Sequence, residues 1–206
     1  WQLARHQLTA RQYQAINWQA WSEEITRHIN NSSSLFYYYG ENIFYREMAN
    51  QLRYYRDRLI TAITRRHDLQ PAIGGLLGLG IGLTPSGDDW LTGFCAIWLL
   101  PGHPGNNYQS LFLSAVEKGK SQTTLLSEIT LRAAINQRYR ESIDHFIRQI
   151  VSHDMSNITD ALNDIKKIGS SSGCDMLCGM ADACALTAYC GGKYDDQDSN
   201  QKEHLF

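Results

Sequence analysis

A glycine-rich loop that runs straight into a long apolar segment leaves this chain few ways to fold. From Gly74 to Leu100 it reads GGLLGLGIGLTPSGDDWLTGFCAIWLL, with six glycines between Gly74 and Gly87. Glycine opens backbone conformations closed to other residues, and Thr84-Pro85-Ser86-Gly87-Asp88-Asp89 carries the hydroxyls and acids of a helix start. The apolar run behind it, Trp90 to Leu100, is too long for an ordinary strand. A flexible loop feeding a deeply buried helix is the reading. The signature then recurs: Ser86 to Gly93 aligns with Ser172 to Gly179 as S-G-x-D-x-L-x-G. Two such junctions in one chain predict a site built from helix N-termini.

The remaining segments read as amphipathic helices around these two. Tyr13, Ile16, Ala20, Ile25 and Ile29 place one helix over Leu8–Ile29, which Asn30-Asn31-Ser32-Ser33-Ser34 ends as a polar loop. Leu35 to Tyr39 has the composition of a short strand, cut off at Gly40. Phe44, Met48, Leu52, Tyr55, Leu59 and Ile63 form one stripe along a helix over Asn42–Arg66. Its arginines are spread around the other faces, as on a solvated helix, rather than gathered into an anion or nucleic-acid patch. Further helices are expected near 69–77, 87–100, 108–118, 123–137, 141–151 and 158–168, with Pro101-Gly102-His103-Pro104-Gly105 as a breaker. The helix after the second signature is rich in small residues (Gly179, Ala181, Ala183, Ala185, Ala188), which suits close helix contact. The tail from Gly191 is polar and expected to fray.

No convincing period-two alternation appears, so the fold class is mainly α: a helical domain with two central apolar helices entered through glycine-rich loops and a minor β portion at the N-terminal side. The expected organisation is an N-terminal helical region over 1–68, a motif-bearing helical core over 69–191 and a polar tail over 192–206.

Composition narrows the function. A formal net charge of -2 gives no electrostatic basis for a nucleic-acid binder. The longest apolar stretch falls short of the about 20 residues that span a membrane, and no secretory leader is visible, so the expected location is cytoplasmic. The chain opens on Trp1, which reads as a trimmed or partial chain. The five cysteines, Cys95, Cys174, Cys178, Cys184 and Cys190, lack C-x-x-C spacing and read as buried free thiols rather than zinc ligands.

The junctions carry the candidate chemistry. Unpaired amides at a helix start, with the positive end of the helix dipole, favour phosphate or carboxylate. The glycine run is neither a Walker A loop, since no Lys follows, nor a dinucleotide fingerprint, since no strand-helix-strand pattern surrounds it. Asp88, Asp89 and Ser86 are the candidate catalytic residues. Gly80, Gly82, Thr84, Gly87, Thr123, Ser127, Ser171, Ser172, Gly173 and Asp175 are the candidate substrate- or anion-binding residues. The carboxylates could hold Mg²⁺, orient an amine or act as a general base, and the hydroxyls could donate to an anionic oxygen. No dedicated metal site and no cofactor is expected, with Mg²⁺ left open. A structural alternative stands beside this: Ser86 with Asp89, and Ser172 with Asp175, have the spacing of a capping box.

At Gly80–Gly93, at Thr123-Thr124-Leu125-Leu126-Ser127 with Leu131 and Ala134, and at Ser171–Gly179, the chain resembles a bacterial family that includes the AllH-type subunit of oxamate carbamoyltransferase from anaerobic allantoin breakdown, a branch of purine degradation. The second motif departs from the family pattern. Ser170 and Cys174 stand where a His and a Trp are usual. The resemblance implies transfer of a carbamoyl group from carbamoyl phosphate to the amide nitrogen of oxamate. It also implies a small anionic metabolite as ligand and other subunits of a multi-subunit enzyme as partners, without nucleic acid or membrane. A non-catalytic assembly or ligand-sensing module and an Mg²⁺-dependent hydrolase are the alternatives the residues leave open.

Overall fold

The computed structural model describes residues 2–3, 6–29 and 34–201, with residues 2–3 and 192–201 described by their backbone alone. The fold is mainly α. Its sheet among the described residues is one antiparallel ladder, in which β1 (Gln2–Leu3) pairs with β2 (Arg138–Tyr139), Gln2 facing Tyr139 and Leu3 facing Arg138.

The N-terminal segment differs from the single helix expected over 8–29. It forms α1 (Ala10–Ala15) and α2 (Trp18–His28), parted at Ile16-Asn17. Local capping explains the break. Thr9 and Gln12 form a complete capping box at the start of α1, Ile16 turns extended, and the Asn17 side chain accepts the Ala20 amide to start α2 afresh. Residues 30–33 of the expected polar loop lie outside the described residues. The strand expected at Leu35–Tyr39 is instead a 3₁₀ turn over Leu35–Tyr37, because Ser34 Oγ caps the Phe36 amide and Phe36 is drawn into the core beside Trp90.

Helix α3 (Ile43–Arg65) starts on Asn42, whose side chain accepts the Tyr45 amide, and ends on Arg66 in the left-handed conformation. The expected stripe engages the core only from Ala49 onward. Leu52, Leu59 and Ile63 are buried, whereas Phe44 in the first turn is exposed. The arginines go separate ways: Arg53 donates to Phe36 O, Arg56 to Asp57, and Arg58 to Tyr54 Oη. The later elements follow in order as α4 (Gln70–Leu76), α5 (Ser86–Trp98), a 3₁₀ turn over Pro104–Tyr108, α6 (Gln109–Gly119), α7 (Leu125–Ile135), α8 (Glu141–Ser152), α9 (Ile158–Lys166) and α10 (Ser172–Gln201). The backbone of α10 stays helical to Gln201, past the point where the tail was expected to fray. Polar residues alone do not end a helix, and a Cβ on Gly191 would meet no described atom within 4 Å.

The core sits where α5 crosses α10. Every residue of α5 is buried, the polar Ser86, Asp88, Asp89 and Thr92 of its first half included. Helix α2 and the 3₁₀ turn at Leu35–Tyr37 lie against α10, and α7 lies against α5. Trp90, Phe94 and Trp98, four apart, form a ladder of stacked rings along α5, extended by Phe36 at one end and Phe112 at the side. The crossing is unusually close because each helix presents a glycine to the other's backbone. A Cβ on Gly93 would lie 1.9 Å from Met176 O, and one on Gly179 would lie 2.0 Å from Trp90 O. A salt-linked tie adds to it: the Trp90 indole donates to Asp182 Oδ2 at 2.9 Å, and Arg56 Nε lies 3.9 Å from the same oxygen. Cys95, Cys178 and Cys184 are buried free thiols, Cys174 is buried and Cys190 is half-buried. No described helix is long and apolar enough to cross a membrane.

Substituting Gly93 by Ala must push backbone against backbone, so Gly93→Ala is expected to destabilise the fold by about 3 kcal/mol or more in urea titrations. Gly74 makes the control, because it lies in α4 with nothing within 4 Å of its absent Cβ. Gly74→Ala is expected to stabilise by about 0.5–1 kcal/mol. Equal responses at the two positions would remove the close crossing from the account.

Candidate functional site

The two signatures fold alike. In each, a helix (α4 or α9) ends, a short loop turns back, and the glycine of Ser-Gly packs on the carbonyl that closes the preceding helix. A Cβ on Gly87 would lie 2.1 Å from Leu76 O, and one on Gly173 would lie 2.0 Å from Ile165 O. The Gly87 amide donates to Leu79 O and the Gly173 amide to Ile168 O. The crossing at Gly93 and Gly179 brings these two units together, so that their acids share one buried region.

The capping-box alternative does not describe the first junction. Pro85 occupies the cap position of α5 without a side-chain bond, and the amides of Asp88 and Asp89 bond to Pro85 O. The Asp175 amide likewise bonds to Ser171 O, so Ser171 contributes its carbonyl there. The acidic side chains are thus released from helix-end duty and turn inward. Successive helical residues point about 100° apart, and Asp88 and Asp89 accordingly reach different partners.

Asp88 is clamped on one side. Its Oδ1 accepts the Gly78 amide at 2.9 Å and its Oδ2 accepts a short bond from the Thr123 hydroxyl. Burial raises its pKa, opposed by Thr123, Gly78 and Ser127. Asp89 faces the crossing. The Thr84 and Ser172 hydroxyls, one from each junction, lie 2.8 Å apart and both favour its ionised form. Burial, with some repulsion from Asp175 and Asp88, nevertheless pushes its pKa up to about 7. Asp175, the counterpart from α10, is also pushed up to about 7 by burial, opposed by Ser34, Ser86 and the Leu35 amide. Ser34 Oγ donates to Asp175 Oδ1 at 2.5 Å. One oxygen of each, Asp89 Oδ2 and Asp175 Oδ2, is buried without a hydrogen-bond partner among the described residues. The Ser86 hydroxyl is near enough to favour ionised Asp175 without completing such a bond.

Of the residues singled out from the sequence, Ser86, Asp89, Thr84, Ser172 and Asp175 therefore gather at the crossing, and Asp88, Thr123 and Ser127 form a second cluster beside it. Gly87 and Gly173 serve packing, as does Gly80, whose Cβ would lie 2.2 Å from the Ser86 amide. Gly82 faces open space. Gly78, Gly80 and Gly82 all have positive φ, and the amides of residues 80 to 84 make no hydrogen bond to another described residue. Two participants carry little signal in the sequence. Gly78 is one glycine in a run, and Ser34 lies 141 residues from Asp175 with no local sign of that contact. Among the described residues, no group of three or more His, Cys, Asp and Glu side chains is placed to hold a metal ion.

A family model described as oxamate carbamoyltransferase subunit AllH matches residues 76–184. The chain belongs to that family. The matched span opens at the last turn of α4 and closes within α10, so it takes in both junctions, both acids and the crossing. No solved structure matches the chain.

The pair has a consequence for stability. A carboxyl with a folded pKa near 7 and an unfolded value near 3.8 holds its proton more tightly when folded. That contribution is complete below about pH 4 and is lost as pH rises to about 7. Asp89→Asn, which keeps the shape and removes the charge, is expected to be more stable than the parent at pH 8 by about 2–4 kcal/mol, with the gap closing toward pH 4. Urea denaturation of both proteins across that range checks it, and parallel pH profiles would refute the shift.

Proposed function

We propose that the chain acts as a subunit of an oxamate carbamoyltransferase-type enzyme and holds a small anionic metabolite, carbamoyl phosphate or oxamate, at the paired junctions. The observation that carries this reading is the Asp89–Asp175 pair: two buried carboxyls from the two repeated motifs, poised near neutrality, each with an oxygen that no described residue satisfies. Buried polar atoms without partners are costly, and a bound ligand supplies what is missing. The amides of residues 80 to 84, which no described residue accepts, and the hydroxyls of Thr84, Ser86 and Ser172 suit phosphate and carboxylate oxygens.

In the transfer this implies, the oxamate amide nitrogen attacks the carbamoyl carbon, a C–N bond forms, the C–O bond to phosphate breaks, and phosphate leaves. The attacking nitrogen must lose a proton, and a carboxylate titrating near 7 is matched to take it. Asp89 is the better placed of the pair, because hydroxyls from both junctions surround it. Asp88, fixed by Gly78 and Thr123, positions the loop. The subunit reading draws further support from the rim. Ile81, Leu83, Leu125, Leu126 and Ile129 are exposed, and the Thr124 hydroxyl donates to Leu83 O at 2.6 Å, which joins the loop tip to the start of α7. Exposed apolar side chains gathered beside a site are what a partner subunit covers.

A second reading has its own support. The full commitment of Gly87 and Gly173 to backbone packing, and the near-complete burial of both acids, suit a non-catalytic assembly module whose junctions only lock helices together. Thermal-shift titration separates the two. At about 100 times its dissociation constant, a ligand stabilises by about 2.7 kcal/mol, or about 5–10 °C for a chain of this size. Such a shift with carbamoyl phosphate or oxamate, lost in Asp89→Asn, is the expected result. The absence of any shift with either compound, with and without Mg²⁺, would favour the assembly module.

A further inference from the structure

A second concave site lies at the other end of α5, about 18 Å along the helix from the junctions at 1.5 Å per residue. Here the C-terminal end of α3, the turn around Pro104, α1 and α10 enclose a cavity of about 230 Å³. Its walls are aromatic, with Tyr13, Trp98, Tyr108 and Tyr189 among them, and Arg65 and Arg66 stand at its edge. Among the described residues no carboxylate lines it, and none forms an ion pair with Arg65 or Arg66.

Among the described lining residues, the other ionisable nitrogen group, His103, is fixed as neutral. The Gly105 amide donates to His103 Nδ1 at 2.8 Å, so the ring proton sits on Nε2 and points to Thr187 Oγ1 at 2.9 Å, which donates onward to Ala183 O. Burial lowers the His103 pKa to about 3, so the imidazole stays uncharged at any working pH. Its ring lies edge-on or tilted against Tyr13, Trp18 and Trp98, which holds the aromatic wall rigid. Among the described residues, the fixed charge of the cavity therefore comes from the two guanidiniums.

We propose that this cavity binds a planar, single-ring carboxylate, with the ring against the aromatic wall and the carboxylate on Arg65 and Arg66. The chemistry follows from the lining. Aromatic faces take a flat ring, guanidinium matches a carboxylate in two-pronged fashion, and no described acid in the lining competes with it. The volume is below the about 300–1,000 Å³ of pockets for larger ligands, which limits the occupant to about one ring. The site is separate from the junctions and does not depend on the transferase reading.

Benzoate is the probe, measured by titration calorimetry on the full chain. One-site saturable binding is expected, with at least tenfold weaker binding of cyclohexanecarboxylate, which lacks the flat ring, and of benzyl alcohol, which lacks the charge. Arg66 has φ 55 and ψ 38, a conformation that glycine adopts freely, so Arg66→Gly removes the guanidinium and leaves the turn intact. It should weaken benzoate at least tenfold, as should Arg65→Gln, while Asp89→Asn should bind as the parent does. Absence of saturable binding would mean that the arginines only complement the C-terminal end of α3, and the proposal fails. It fails equally if neither arginine variant changes the affinity, or if Asp89→Asn abolishes it and so moves the benzoate to the junctions.

Discussion

The close crossing of α5 and α10 is the constraint on which the rest of the structure depends. Gly93 and Gly179 let each helix rest on the other's backbone, at a separation that no side chain would allow. Once the two axes are that near, the residues one turn closer to the helix starts have no room to reach solvent. Asp89 and Asp175 occupy those positions. Their burial, their raised proton affinity and their unsatisfied oxygens all follow from the same packing that stabilises the core. Packing and the candidate chemistry cannot be separated here, because removing the glycines would release the acids.

The arrangement is also an internal repeat. Each half contributes a helix end, a turn, a Ser-Gly step packed on a carbonyl and an inward acid. The halves differ where asymmetry matters for chemistry. Asp88 in the first faces Gly78 and Thr123, whereas its counterpart Cys174 in the second is a buried thiol. Asp89 is met by hydroxyls from both loops, and Asp175 by Ser34 from outside the repeat. A site with two similar acids in dissimilar surroundings is suited to dividing roles between them, one retaining a proton while the other accepts one.

Much of this was legible in the sequence because its causes are local. The S-G-x-D-x-L-x-G repeat, the apolar run after Asp89 and the stripe on α3 each fix an element and its buried face. Asn42 and Arg66 bound α3 where the pattern placed them. The misreadings had local causes that pattern alone ranks poorly. Thr9, Gln12 and Asn17 cap two short helices where periodicity suggested one, and Ser34 starts a 3₁₀ turn where aromatic composition suggested a strand. Ser34 against Asp175, and Gly78 against Asp88, were not legible at all, because those contacts exist only after the helices have packed. The capping-box spacing misled for a related reason: helix α5 starts at Ser86 itself, with Pro85 as its cap, which frees the acid that the spacing would have tied.

The central claim is that helix packing holds Asp89 and Asp175 together as a buried pair titrating near neutrality. Carbon-detected NMR of the aspartate side-chain carboxyls across pH 3 to 9, with Asp89→Asn and Asp175→Asn to assign the signals, reads this directly. Two carboxyl resonances titrating near pH 7, with that of Asp89 moving down when Asp175 is replaced, is the predicted result. Both titrating near 4, with Asp89 unaffected by the removal of Asp175, would contradict the account.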